Sequence, residues 1–276
     1  MYTLNCRGKL LSLETPVVMG IINATSDSFY EHDLETSIDM LLGKVAGMIN
    51  DGAAIIDVGG QSTRPGSDRL TAEIELSHVL PVITAIHQRF PNTIISVDTY
   101  FSLVAELAVS AGAGMVNDIS AGEMDEGMIP TVARLGVPYV CMHMKGRPES
   151  MQQNPVYEDV VKEVLDFFIA KADQCRKAGI KDLIIDPGFG FGKNTAHNFA
   201  LLKNMEVIKM LEVPVLAGVS RKGMVYKTLA SNVEAALNGT TVLNTIALMN
   251  GADILRVHDV KEAMEAIKLV VTLEQS

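Results

Sequence analysis

Apolar residues in this chain follow two alternating rhythms. Short β-branched runs begin near Val17, Ala54, Thr93, Met115, Pro138, Leu183, Pro214 and Ile254. Runs such as Ile55–Val58, Ile184–Ile185 and Val213–Val219 are apolar at nearly every position, as in parallel strands covered on both faces. Between them, helical spacing or composition predicts helices over Thr36–Asn50, Thr71–Arg89, Phe101–Ser110, Val156–Ala178, His197–Leu211, Ala235–Asn250 and Val260–Leu273. Several stop just before a glycine (Gly52, Gly112, Gly179, Gly251), the residue that most easily turns a helix end into the left-handed region.

This repetition amounts to about eight βα units with no Pro/Ser-rich linker between them. It predicts an α/β chain of a single domain over residues 1–276, closed as a (β/α)8 TIM barrel. An open doubly wound sheet would carry fewer strands and one dominant glycine-rich first turn. Residues 2–14 alternate weakly and predict a small N-terminal hairpin across the barrel bottom.

Composition removes several functions. The 276 residues carry 23 basic and 33 acidic side chains, a formal charge of -10, and no basic run suited to a phosphate backbone, so no nucleic acid partner is expected. Cys6, Cys141 and Cys175 are odd in number and lack metal-type spacing, which argues against a disulfide framework or zinc site and for a reducing compartment. The apolar runs are too short to cross a bilayer and no basic segment leads into a long apolar one, so the expectation is a soluble, cytoplasmic protein with no membrane partner.

Chemistry gathers where the strands end, the face on which barrel enzymes work. Asp57 closes Ala-Ile-Ile-Asp, Asp98 closes Ile-Ser-Val-Asp, Asp118 follows Asn117, and Asp186 precedes Pro187-Gly188-Phe189-Gly190-Phe191-Gly192-Lys193. The loops Asn23–Phe29 and Gly59–Gly66 mix small and hydroxylic residues that can bring backbone N–H groups to an anion, with Arg64 as a fork donor, although ordinary turns use the same residues. In Val140–Pro148, Met142 and Met144 suit core filling and His143 a structural histidine, while Met142 could also line a flat aromatic ligand. Arg221 and Lys222 arrive where a helix starts; positive charge there opposes the helix dipole and calls for an acidic ligand or a facing carboxylate. Alternation sends Arg256 and His258 to one side of the last strand, to form an anion site or a salt bridge. Together, Asp57, Asp98, Asp186 and Asn117 could read the donor nitrogens of a polar heterocycle, and Asn23, Arg64, Arg256 and His258 could hold phosphate oxygens.

These segments carry a resemblance. Asn23–Phe29 resembles the N-x-T-P-D-S-F loop of dihydropteroate synthases and Gly59–Gly66 their G-G-E-S-T-R-P-G loop; His143–Pro148, Asp186–Lys193, Ser220–Lys222 and Arg256–Asp259 match further family segments in order. The resemblance implies an enzyme that joins 6-hydroxymethyl-7,8-dihydropterin diphosphate to 4-aminobenzoate, releasing diphosphate. It implies pterin binding by Asp98, Asn117, Met142, Asp186 and Lys222, with Asp57 in the same polar centre and Asp57, Asp98, Asp186 and Lys222 as the catalytic set. It also implies diphosphate binding by Asn23, Arg256 and His258 with Mg2+ at Asn23, aminobenzoate binding by Thr63, Arg64, Pro65, Phe191 and Ser220, and Phe29 on the mobile first loop. A homodimer is implied as well, for which Ile246, Leu248, Leu269 and Val270 offer apolar contacts that core burial explains equally well.

Two departures stand out. Ser26 replaces the family's usual Pro, and Tyr30-Glu31-His32-Asp33 replaces an Asp-Gly-Gly continuation; Gln61 stands where Glu is usual and is not assigned as catalytic. A rival reading, a pterin-binding barrel for methyl transfer to a corrinoid, has no need of Arg256 with His258 or of the Ser-Thr-Arg loop. A non-enzymatic pterin-binding module has no need of them either.

Overall fold

The computed structural model describes residues 2–24, 34–61, 69–147, 151–152 and 154–276. Eight strands form one parallel sheet: β3 (Val17–Asn23), β4 (Ile55–Gly59), β5 (Ile94–Asp98), β6 (Met115–Asp118), β7 (Tyr139–Met142), β8 (Leu183–Asp186), β9 (Leu216–Ala217) and β10 (Ile254–Val257). Their order is β8-β7-β6-β5-β4-β3-β10-β9. A parallel bridge between Ile185 and Val215, with Ile185 N–H donating to Pro214 O at 2.9 Å, joins the two ends and closes the barrel. A closed ring leaves no unpaired edge, which lets strands as short as β9 hold their place.

Side chains on a strand point alternately to its two faces, and here the two sets go to different cores. Val18, Ile56, Ile95, Val116, Cys141, Ile185, Ala217 and Leu255 face outward and are buried beneath the helices. Met19, Ile55, Ile94, Met115, Val140, Ile184, Leu216 and Ile254 face inward and form an apolar floor. The hairpin β1 (Thr3–Cys6) and β2 (Lys9–Ser12) seals it from below with Leu4 and Cys6, and Leu13 follows. Arg7 (φ +55°) and Gly8 (φ +85°) make the two-residue turn with both central residues left-handed, the turn that matches strand twist.

Two residues beyond each floor position, on the same inward face, come Ile21, Asp57, Ser96, Asn117, Met142, Asp186, Gly218 and Arg256. The bore thus changes from apolar to polar within one pleat. That change of layer positions the site.

Several helices depart from the sequence expectation. Met128–Leu135, between β6 and β7, was not anticipated; it is short, carries Pro130 in its first turn and is bracketed by Gly127 and Gly136. The helix read from Val156 begins at Val160, because Asp159 caps it by accepting from the N–H groups of Val161 and Lys162. The stretch read as His197–Leu211 divides into Thr195–Lys203 and a 3₁₀ segment, Met205–Leu211, and a short helix, Gly223–Tyr226, precedes Leu237–Met249. The four glycines expected at helix ends all have positive φ: Gly52 (105°), Gly112 (131°), Gly179 (97°) and Gly251 (90°).

The hairpin is a stabilising plug. Leu4→Ala is expected to lower unfolding free energy by about 2–4 kcal/mol in a denaturant titration, because Leu4 is 2% exposed against the floor.

Candidate active site

The polar layer of the bore is held by one cation. Arg256, on β10, reaches past β3 to donate from Nε to Asp57 Oδ2 on β4 at 2.6 Å, and from a terminal nitrogen to Asp98 Oδ2 at the end of β5. Asn117 Nδ2 donates to the same Asp57 oxygen at 3.0 Å. Asp57 is fully buried, and its Oδ1 has no partner among the described residues. Charges removed from water are tolerated only when paired, so Asp57 and Asp98 depend on this guanidinium.

Asp186 stands across the bore. Its Oδ1 accepts from Gly188 N–H at 2.7 Å, while a Cβ at Gly218 would lie 3.8 Å from both Asp186 Oδ2 and Lys222 Nζ. Glycine at 218 therefore keeps open the space that this carboxylate and ammonium face. Lys222 precedes the helix Gly223–Tyr226, donates to Phe189 O, and lies 4.6 Å from the centre of the Phe191 ring. Arg221 makes a two-pronged pair with Asp259 at 2.7 and 2.8 Å. A carbonyl, an aromatic face and carboxylates thus answer both cations that the sequence placed at a helix start. Ser220 Oγ lies 3.0 Å from His258 Nδ1 and accepts from His258 N–H at 3.2 Å.

Burial dominates the electrostatics. It pushes Asp98 up to about 7, helped by repulsion from Asp57, Asp118 and Asp186 and opposed by Arg256. Burial also raises Asp186, against the pull of Lys222, and lowers Lys222 to about 8. Burial works against the charge on Arg256, but Asp57 and Asp98 outweigh it and hold the group cationic. Burial of the His258 ring, then repulsion from Arg256, lower its pKa, leaving a neutral imidazole at pH 7. Such a bore favours a ligand that brings N–H donors or positive charge to its acids and negative charge to its mouth.

An apolar shelf adjoins the acids: Met142, Phe191, Tyr100, Ile119 and Met151 pack together. Met142 (3% exposed) lies in this apolar cluster and His143 is 6% exposed. The structure brings together Asp57, Asp98, Asn117, Met142, Asp186, Lys222, Arg256, Phe191, Ser220 and His258. Asn23 ends β3 opposite Gly59 of β4, with its residue exposed at the mouth. Thr63, Arg64 and Pro65 lie outside the described residues, as do Phe29 and Ser26. Gln61 accepts from the Tyr100 hydroxyl at 2.9 Å, a neutral contact. Tyr100 itself was missed; its only sequence signal was its place two residues after Asp98.

A barrel with an acid-and-amide bore and a cationic mouth belongs to a class that grips a flat, donor-rich ring, and the comparisons specify the ring. The pattern of the family described as "Pterin binding enzyme" matches residues 19–258. The dihydropteroate synthase of Escherichia coli (strain K12) is 43% identical over 96% of this chain and 94% of its own, and that of Haemophilus influenzae is 41% identical over 96% and 97%. Among solved structures, Yersinia pestis dihydropteroate synthase in complex with a sulfonamide drug superposes with a TM-score of 0.93 at 40% identity over 100% of both chains. The Xanthomonas albilineans enzyme in complex with 7,8-dihydropteroate gives 0.89 at 36% identity, also over 100% of both. The chain belongs to the dihydropteroate synthase family of pterin-binding enzymes.

The raised Asp98 makes a stability prediction. Its folded pKa lies above that of the unfolded chain, so its favourable contribution is complete below about pH 4 and is lost as pH rises towards 7. Asp98→Asn should flatten the fall in unfolding free energy between about pH 4 and pH 7, read by urea titration across that range.

Proposed function

We propose that the acid-lined bore holds the pterin ring of 6-hydroxymethyl-7,8-dihydropterin diphosphate and that the mouth holds its diphosphate and 4-aminobenzoate. The enzyme is a transferase of folate biosynthesis that forms a C–N bond, giving 7,8-dihydropteroate and diphosphate. One observation carries the residue assignment: Arg256 spans Asp57 and Asp98 while Asn117 donates to Asp57. This arrangement sets acceptors deep in the bore beside a cation facing outward.

In this reading Asp98 and Asp186 accept the ring's N–H donors, Asn117 and Lys222 complete its polar edge, and Met142 packs on its face. As diphosphate departs from the methylene carbon, positive charge spreads into the ring, and the carboxylates of Asp98 and Asp186 stabilise it. Nε and one terminal nitrogen of Arg256 serve the acids; the other terminal nitrogen, with His258, is left for phosphate oxygens. Phe191 and Ser220, together with Thr63, Arg64 and Pro65, surround aminobenzoate. Its neutral amine is already nucleophilic, so these residues need only orient it.

Mg2+ belongs to this reading as an ion carried in with the substrate's phosphates. Among the described residues no group of three His, Cys, Asp or Glu could cage a metal, and Asn23, exposed at the end of β3, would offer an amide oxygen to an ion held mainly by substrate phosphates and water. When bound, Mg2+ supplies positive charge to the leaving diphosphate.

A cytoplasmic setting is part of this proposal; no described helix is long and apolar enough to cross a membrane. For the homodimer, two of the four apolar residues singled out by sequence belong to the core, Leu248 at 4% and Val270 at 5% exposure. Ile246 and Leu269 are exposed, and with Val242, Met249 and Leu273 they supply apolar surface on the last two long helices. Leu269→Glu should then shift the sedimentation coefficient from dimer to monomer.

The assay of the reaction is diphosphate release from the dihydropterin substrate. Release should depend on aminobenzoate and stop when Mg2+ is chelated, and Asp98→Asn should bind the pterin at least about tenfold more weakly in calorimetry. Unchanged pterin affinity in that variant would remove Asp98 from the role.

A further inference from the structure

We propose that Lys193 is a positioning residue for this reaction: its buried ammonium pins the loop after β8 to the end of β7, and so sets the aim of Phe191 and of the Gly188 N–H that holds Asp186. Lys193 is 2% exposed, and its Nζ sits among His143 Nδ1 at 2.9 Å, Gly188 O at 2.9 Å, Phe191 O at 3.1 Å and His143 O at 3.2 Å. Three of these four partners are carbonyl oxygens, which only accept, and three acceptors require three N–H donors. An ammonium has three; a neutral amine has two and would turn its lone pair towards a carbonyl. Burial alone pulls Lys193 well below the ordinary lysine value, with Lys222 adding to the fall and Asp186 opposing it. The acceptor cage decides in favour of the charge. Burial, then Lys193, lower the His143 pKa to about 2, so its imidazole is neutral and Nδ1 is a fourth acceptor that shares one of the three N–H groups with a carbonyl.

What the pin holds is the working face of the loop. Gly188 and Gly192 press on the β7 end so closely that a Cβ on either would overlap the carbonyl oxygens of His143 or Lys145. Both have positive φ, 69° and 62°. Lys193 closes this contact from within by binding the carbonyls of Gly188 and Phe191 at once, five and two residues back along the chain. Gly188 N–H holds Asp186, and the Phe191 ring faces Lys222, so both substrate sub-sites hang on the same knot.

The charge acts as well as the shape. Asp186 is faced by Lys222, Arg256 and Lys193, each of which lowers its pKa, and it adds to the repulsion on Asp98. Lys193 is faced by Asp186, Lys222 and His143, with Lys145 and His197 beyond them. Removing the Lys193 charge therefore raises Asp186, and a higher pH is needed to ionise it.

This inference rests on the pterin site proposed above, and the test separates the two. Lys193→Met keeps the side chain's reach to Cε but removes the ammonium. Its kcat/KM for the dihydropterin diphosphate is expected to fall about tenfold or more near pH 6, with the acid limb of the pH profile displaced to higher pH, while Lys193→Arg keeps the limb in place. A folded Lys193→Met protein with a wild-type limb and kcat/KM would overturn the proposal. The wild-type protein gives a second reading that needs no foldable variant: in lysine-labelled enzyme, the Lys193 side-chain NMR resonance should remain that of an ammonium from about pH 5 to about pH 9. Deprotonation within that range contradicts the pin. Undiminished pterin affinity in Asp186→Asn would instead remove the site and leave the pin standing.

Discussion

Arg256 stands between two carboxylates that could not otherwise share the bore. Asp57 is fully buried and Asp98 nearly so, and with Asp118 and Asp186 they concentrate negative charge where water cannot screen it. A guanidinium is suited to this because its donors diverge in a rigid plane, so one side chain can serve acids on two different strands and still present an edge to the mouth. The arrangement costs stability, since burial alone would drive Asp98 towards its neutral form, and a better-packed apolar layer could be more stable. Retaining the charges makes sense for a site whose ligand supplies what the acids lack.

That ligand requirement follows from the barrel itself. The strands deliver apolar residues to the floor and polar ones a single pleat higher, so the acids are buried from below by Met19, Ile55, Ile94 and their neighbours and open only upward. A flat ring entering from above meets acceptors at its edge and Met142 and Phe191 on the apolar shelf. On the proposed reading its diphosphate stays at the mouth, where Arg256 and His258 come from one strand and Ser220 from the next.

Much of this was legible in the sequence because it is local. Strand starts, helix-ending glycines and the acids that close strands depend on neighbours a few residues away, and so does the alternation that sends Arg256 inward. What spans the barrel was not legible. Nothing near Arg256 names Asp57 as its partner, because they are joined only by ring closure and register. Lys193 ended a motif already singled out, yet its meaning depends on His143, fifty residues earlier. Met128–Leu135 escaped because Pro130 and flanking glycines look like loop chemistry, although Pro is tolerated in a first turn. The apolar positions of the last two helices illustrate the same limit: spacing alone did not separate buried Leu248 from exposed Leu269.

The most direct test of the central claim is calorimetric binding of the dihydropterin diphosphate to Arg256→Met in the presence of Mg2+. If one guanidinium both sustains the acids and meets the diphosphate, affinity should fall by well over about tenfold. A folded Arg256→Met protein that binds this ligand as tightly as the wild type would contradict the account.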